Sequence, residues 1–374
     1  MDFQRNGITI DDKGYETYLL ADEATRWIKE RDKSKPFFLY MPFIAPHSPL
    51  DAPDKLISKY KDLKDTRKLT RSKSIDRSRK LSSQRKSARP VYAAVVEALD
   101  QGIGTVLKTL KDEGLEEETI ILFSSDNGGA TYAGGGADNF PLRGGKGDTY
   151  EGGIRAIAAI QWKGVLKSGT SLEQIMTVMD VFPSLSNAAK VKMQNMKEIS
   201  GRNMWPAISE GKKLDLAGDI FFASETPNYG EFHTTVFNEN WKLVQVITSS
   251  LLEVNVENQL FKISQDPNEY NNVASAHPKL VQSMAEKIRR WRALHPISGV
   301  RSELVPPPGW RAPKDWTSYT IPTNELQDDA SLGFGANAHQ LLDFLIKDHG
   351  RIIYDCDPND WKVGKCSSPE VKDH

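Results

Sequence analysis

The 374 residues leave room for two or more domains, and 39% hydrophobic residues with eight tryptophans are enough to build real cores, which excludes wholesale disorder. A net charge of −1 gives no global electrostatic reason for a nucleic-acid or membrane-surface partner, and no apolar window of about 18 residues predicts a membrane span. Two cysteines, Cys356 and Cys366, exclude a disulfide-scaffolded small domain and a multi-cysteine zinc module.

Met1 to Asn6 lack the charged-then-apolar pattern of a secretory leader. From residue 15, Leu20, Ala24, Trp27 and Ile28 recur at helical spacing, and Lys35-Pro36 ends the helix because a residue before proline leaves the α region. Phe37 to Ile44 is a continuous apolar, aromatic-rich run and predicts a buried strand of a parallel sheet. Residues 61–89 hold twelve Lys or Arg, three Asp and six Ser, so the near-neutral total averages one basic stretch with an acidic remainder. Such a stretch cannot bury enough apolar surface to fold alone, and it reads as a disordered insertion or as a polyanion-binding arm.

Tyr92, Val95, Val96, Leu99, Ile103, Val106, Leu107 and Leu110 predict a helix over 91–113, stopped by Gly114. Thr119 to Ser125 predicts a second buried strand, and Ile154 to Ile160 a third after a glycine-rich stretch. Helix followed by apolar strand, repeated, argues for an α/β architecture with a mostly parallel sheet. A further helix is expected over 174–190. Short strands at 219–224, 233–237 and 241–247 then predict an antiparallel hairpin or meander, and Leu280, Met284, Ile288 and Trp291 an amphipathic helix over 278–294. The expected organisation is a partial catalytic domain over 1–210, an antiparallel sheet plus helix over 211–300, and an irregular proline-rich tail over 301–374.

Three predicted strand ends carry polar groups. Asp126-Asn127-Gly128-Gly129 offers two hard oxygen ligands for calcium or magnesium, or simply an Asx turn. Lys146, in the glycine-rich run Arg143 to Gly153, can reach an anion without steric obstruction; a lone lysine is also often just solvated. His47, held between Pro46 and Pro49, can donate to an anionic oxygen or protonate a leaving group, or can be structural. A metal ligand, an anion binder and a proton donor together describe hydrolysis of a sulfate or phosphate ester.

The ordered blocks Lys35 to Tyr40, Pro46 to Leu50, Tyr92 to Asp100, Ser125 to Gly128, Pro141 to Lys146, Tyr150 to Arg155, Asp180 to Pro183 and Leu260 to Glu269 resemble the type I sulfatases of alkaline-phosphatase-like fold. Within that family the chain is most similar to the arylsulfatase B, or N-acetylgalactosamine-4-sulfatase, type. The resemblance implies hydrolysis of sulfate esters of aryl or glycosaminoglycan-type sugar substrates. It implies one Ca2+ ion with Asp126 and Asn127 as two of its ligands. Lys146 would contact the sulfate, and His47 with Lys146 would bind substrate and protonate the departing alcohol. It also implies a lysosomal or secreted setting, in which Cys356 and Cys366 could pair with each other or with other cysteines; nothing in the pattern bears on oligomeric state.

The chain departs from the family in lacking the Cys-x-Pro-Ser-Arg nucleophile motif, its serine equivalent, the early aspartate pair and the Gly-Lys-x-His segment. Asp11-Asp12 follows no apolar strand and does not supply the pair. The expectation is an amino-terminally truncated sulfatase, inactive as given, with bare apolar sheet edges and poor solubility. The alternatives are a non-catalytic homologue that binds sulfated glycans and a phosphatase or phosphodiesterase of the same superfamily. The single Asp126-Asn127 pair and Lys146 speak against the last, which normally needs more His and Asp ligands for two metals.

Overall fold

The computed structural model describes residues 3–294, apart from 7, 69, 73–87, 132–135, 173, 192–198, 216–217, 227–230, 239 and 250–253. The expected tail over 301–374, with Cys356 and Cys366, lies outside the described residues.

After a two-strand ribbon, β1 (Gln4–Arg5) with β2 (Ile8–Thr9), the front half builds a helical layer. Helix α1 (Glu16–Glu30) buries Thr17, Ala21, Ala24 and Ile28, a 3.6-residue repeat. Helix α2 (Asp54–Tyr60) adds Leu56. Helix α3 (Arg89–Asp112) starts with Pro90 in its first turn, where the missing N–H costs nothing. It buries Ala94, Val95, Ala98, Gly102, Thr109 and Leu110. Small residues let α1 and α3 approach closely: a Cβ on Gly102 would meet Thr17 Cγ2 at 3.4 Å, and Thr25 Oγ1 lies 3.2 Å from Thr109 Oγ1. Ala52, Leu56, Ala94, Val95 and Ala98 form the core of this layer, with Tyr15, Tyr18 and Leu50 against it. Not all the apolar stripe of α3 is used inward; Val96 and Leu107 face out.

The front strands differ from expectation. Phe37 to Ile44 is in no assigned strand, and its side chains alternate, odd positions half-buried and even positions exposed. Phe38 is 80% exposed and Tyr40 75%. The expected buried strand is therefore a half-buried segment, because among the described residues no neighbouring strand pairs with it. Strand β3 (Ile121–Ser124) pairs antiparallel with β4 (Ala158–Gln161), Ile121 opposite Gln161 and Ser124 opposite Ala158. The front half thus shows no parallel pair among the described residues, and β3 is exposed along most of its length. The expected helix over 174–190 is a 3₁₀ turn (Val178–Asp180) running into helix α5 (Val181–Ala188). Asp180 anchors it, fully buried, accepting from Thr177 N–H at 2.8 Å and paired with Arg202 at 2.8 Å.

Of the basic stretch 61–89, residues 69 and 73–87 lie outside the described residues. Of its described flank, residues 61–66 and Lys68 are exposed, while the end next to the gap is tied down. Thr70 and Ser72 are buried, Arg67 pairs with Asp65 at 2.6 Å, and Arg71 donates at 2.8 Å to the carbonyls of Pro141 and Asn268.

The second half is the expected antiparallel meander, one strand larger: β5 (Ile220–Thr226), β6 (Glu231–Phe237), β7 (Lys242–Ser249) and β8 (Val254–Phe261), paired in that order. The register puts Phe221, Val236, Leu243 and Leu260 in one cross-strand row. That row meets Met284 and Ile288 of helix α7 (Pro278–Arg292), preceded in the chain by the short helices α4 (Glu151–Ile154) and α6 (Trp205–Glu210). Successive strand residues point to opposite faces. The next row, Phe222, Thr235, Val244 and Gln259, therefore faces away from α7. Buried Val244, Val246 and Phe261 on that face cluster with Tyr150 of the glycine-rich run. The α/β class with a smaller C-terminal antiparallel sheet stands as expected.

Candidate active site

Two loops converge at the carboxyl end of β3. The first carries Asp126 and Asn127; Ser125 N–H donates to Ile157 O at 2.9 Å, and Ser125 Oγ–H to Asn127 O at 2.8 Å. Asp126 is exposed and Asn127 half-buried. The second, residues 143–150, carries Lys146 and crosses directly against the first. Lys146 N–H donates to Gly129 O at 3.2 Å, and Gly128 N–H to Gly153 O at 2.8 Å. The approach is possible only without side chains: a Cβ on Gly128 would sit 1.8 Å from Gly152 O. Asn139 ties the loops together, accepting from Gly129 N–H at 2.9 Å and donating to Gly129 O at 2.9 Å and Gly144 O at 3.2 Å.

Lys146 stands half-buried between Gly145 and Gly147. The structure thus brings the Lys146 backbone to Gly129, two residues beyond the Asp126-Asn127 pair. His47 follows the segment 37–44 and is exposed, with Nδ1 2.5 Å from Ser48 O; no hydrogen bond among the described residues joins it to the other loops. Asp126 and Asn127 offer the hard oxygens that Ca2+ prefers, but Ca2+ takes six to eight. Among the described residues no group of three His, Cys, Asp or Glu surrounds a point that could hold a metal. Asp126 and Asn127 by themselves fall short of that number.

Beneath Lys146 the loop is anchored by residues that the pattern of types did not single out. Asp148 is fully buried, and Tyr150 N–H donates to its Oδ1 at 3.2 Å. Burial pushes its carboxyl up to about 7, against the opposing pulls of His233, Ser72 and the Tyr150 N–H and with a push from Glu269. Its bulk sits on Gly144, which adopts φ +79°: a Cβ there would lie 2.5 Å from both carboxylate oxygens. Thr149 Oγ1 lies 2.6 Å from Thr235 Oγ1, and Tyr150 O–H donates to Gln259 Oε1 at 2.9 Å. Glu151 pairs at 2.8 Å with Lys242, which is completely buried. Lys242 stays protonated despite burial because the Glu269 and Glu151 carboxylates outweigh desolvation and raise its pKa. A lysine in the otherwise apolar inward pattern of β7 was the one available signal for this cluster.

Comparison with known proteins bears on the family and the fold. The sulfatase family model matches residues 2–191. Arylsulfatase J of Mus musculus is 27% identical over 313 residues, covering 74% of this chain and 48% of the relative. N-acetylgalactosamine-6-sulfatase of Homo sapiens is 27% identical over 233 residues, 60% of this chain and 39% of the relative. The solved structure of Ps i-CgsB in complex with k-i-k-neocarrahexaose superposes with a TM-score of 0.63 at 27% identity, covering 78% of this chain and 58% of that one. BT4656 in complex with D-glucosamine-2-N,6-O-disulfate shares the fold at a TM-score of 0.59 and 18% identity, with 77% of this chain and 71% of that one covered. The chain spans about half the length of the curated relatives it matches. With half of its residues matched by that model and its loops crossing at the carboxyl end of β3, the chain belongs to the sulfatase family.

Proposed function

We propose that this chain carries the sulfate-binding part of a sulfuric ester hydrolase acting on sulfated sugars. The observation that carries the reading is the bond from Lys146 N–H to Gly129 O, which sets an ammonium-bearing loop against the Asp126-Asn127 loop. Lys146 would bind the sulfate and its bridging oxygen, stabilising charge that develops there. His47, with Lys146, would deliver the proton to the departing alcohol. Asp126 and Asn127 would contribute two oxygens to a single calcium ion, the remainder coming from other groups. Support for a sugar substrate comes from the relatives: one is an N-acetylgalactosamine-6-sulfatase, and two structural neighbours were solved with a neocarrahexaose and a disulfated glucosamine.

The sequence as given contains no Cys-x-Pro-Ser-Arg motif, so the nucleophile would be supplied by residues beyond it. The same feature favours a second reading, a sulfated-glycan binder without turnover. Calorimetric titration with sulfated N-acetylgalactosamine tests what the two share. Binding is expected in the wild-type chain and should be lost in Lys146→Ala; a wild-type chain with no affinity for any sulfated sugar would sink both. Aryl sulfate turnover by this chain joined to a segment bearing the nucleophile motif, abolished in Lys146→Ala, separates the first reading from the second.

A further inference from the structure

Lys146 lies between two glycines, so side-chain packing at 145 and 147 cannot hold its backbone in place. Its position must come from anchors on either side. On the amino side Gly144 N–H donates to Thr70 O at 2.8 Å. On the carboxyl side Gly153 O accepts from Gly128 N–H at 2.8 Å, and the side-chain contacts of 147–150 with the second-half sheet fall on one face of it. Ser224 Oγ–H donates to Gly147 O at 2.7 Å, Thr149 meets Thr235, Tyr150 meets Gln259, and the Tyr150 ring stands edge-on to His233 at 5.4 Å.

The last anchor is ionic. Lys242 Nζ lies 2.8 Å from Glu151 Oε1 and 2.9 Å from Glu269 Oε1, with Lys242 and Glu269 at 0% side-chain exposure. Glu151 N–H donates to Glu269 Oε2 at 2.8 Å, closing the cluster through the backbone at the end of the Lys146 loop. Arg155, 3.7 Å from Glu151 Oε2, balances the two carboxylates and the one ammonium to neutrality. The cluster joins three pieces distant in sequence: the loop, strand β7 and the turn after β8. A buried ion pair contributes little net stability compared with apolar packing, but it tolerates only one arrangement of its partners. That makes it suited to fixing a position rather than to holding a fold.

We propose that Lys242, with Glu151 and Glu269, is the positioning device for Lys146, so that the second-half sheet sets where the sulfate-binding ammonium stands. The significance of Lys146 rests on the functional reading above; the clamp itself does not. The device predicts that loosening the cluster frees the loop while the α7 face of the same sheet stays packed.

The test uses the full chain with Lys242→Met, Lys242→Arg and Ile288→Ala, the last a core control on the opposite face. Two local readouts are measured under conditions where all variants remain folded: amide hydrogen exchange over 144–154, and the rate of Lys146 acetylation by acetic anhydride followed by mass spectrometry. Lys242→Met should raise both by about tenfold, Lys242→Arg should recover part of the change, and Ile288→Ala should leave both within about twofold of wild type. Unchanged exchange and acetylation in Lys242→Met, or an equal rise in Ile288→Ala, overturns the proposal. If Lys242→Met does not fold, Glu269→Gln, which keeps the Glu151–Lys242 pair, should show a smaller rise in both readouts, and its absence is equally fatal. Protection of Lys146 from acetylation by sulfated N-acetylgalactosamine in the wild-type chain tests the functional reading alone. Loss of that protection with the clamp response intact overturns the reading and leaves the clamp.

Discussion

The two halves of the chain treat their apolar strands in opposite ways. In the second half the four-stranded sheet is covered on both faces, by α7 on one and by the Lys146 loop on the other. In the front half Phe38, Tyr40, Ile157 and Val178 are 75–86% exposed, and Leu122, Phe123 and Phe182 are exposed with them. Both halves carry strand-like runs of similar apolar character. The difference lies in what covers them. A strand face becomes core only when a second layer lies within reach, and among the described residues β3 and β4 are exposed along most of their length. Exposed apolar side chains in this number are a liability for solubility.

The contrast can be broken first at the buried charge. Lys242→Ala leaves the buried Glu269 without its counterion and Glu151 with only the more distant Arg155, and urea denaturation should show a loss of about 3–5 kcal/mol. A loss under about 1 kcal/mol would mean the cluster is wetter than its burial implies.

Ile288→Ala, on the α7 face, should cost about 2–5 kcal/mol in the same measurement by opening a cavity in a closed core. If it proved neutral, the second half would not be the better-packed region.

Asp148 sharpens the comparison through pH. Its folded carboxyl is pushed up to about 7 by burial, while the unfolded one ionises near the ordinary aspartate value. Below about pH 4 both states are protonated and the group is neutral to stability; as pH rises from about 4 to about 7 the unfolded state gains by ionising first, so stability is progressively lost. The difference between wild type and Asp148→Asn should therefore change across that window by up to about 4 kcal/mol, in the variant's favour towards higher pH. Parallel pH–stability curves for the two proteins would refute the raised pKa.

The smallest effect belongs to the front face. Phe38→Ser combined with Val178→Ser should alter stability by less than about 0.5 kcal/mol for each change while raising the soluble fraction on expression. A loss of core magnitude would show that these side chains are covered in solution.

Helices 15–30, 91–113 and 278–294 were legible because an amphipathic stripe repeats over several turns, and each recurs within a few residues as α1, α3 and α7. Strand β8 was not read, although Val254, Val256 and Leu260 sit on the alternating pattern of a paired strand among polar neighbours. The run 37–44 was read as a buried strand, and it is neither a paired strand nor buried on its even positions, since composition reports affinity for a core and not whether a core is there. Of the candidate residues, Asp126, Asn127 and Lys146 were visible through residue type and glycine context. Asn139, Asp148 and Lys242 were not, because their roles depend on partners 10 to 91 residues away or on burial of a charge that type alone assigns to the surface.

From its amino-acid order alone the chain declared an α/β protein with a glycine-rich loop bearing a lysine, and the ordered blocks that resemble the sulfatases. Local periodicity and short motifs need only neighbouring residues, and those are present in any one-dimensional reading. Tertiary structure alone decided that the Lys146 loop rests on the second-half sheet, that Lys242 is buried between two carboxylates, and that the front strands stay exposed along most of their length. Each of these is set by which distant surface arrives opposite a residue, and burial, ion pairing and the shifted titration of Asp148 follow from that meeting.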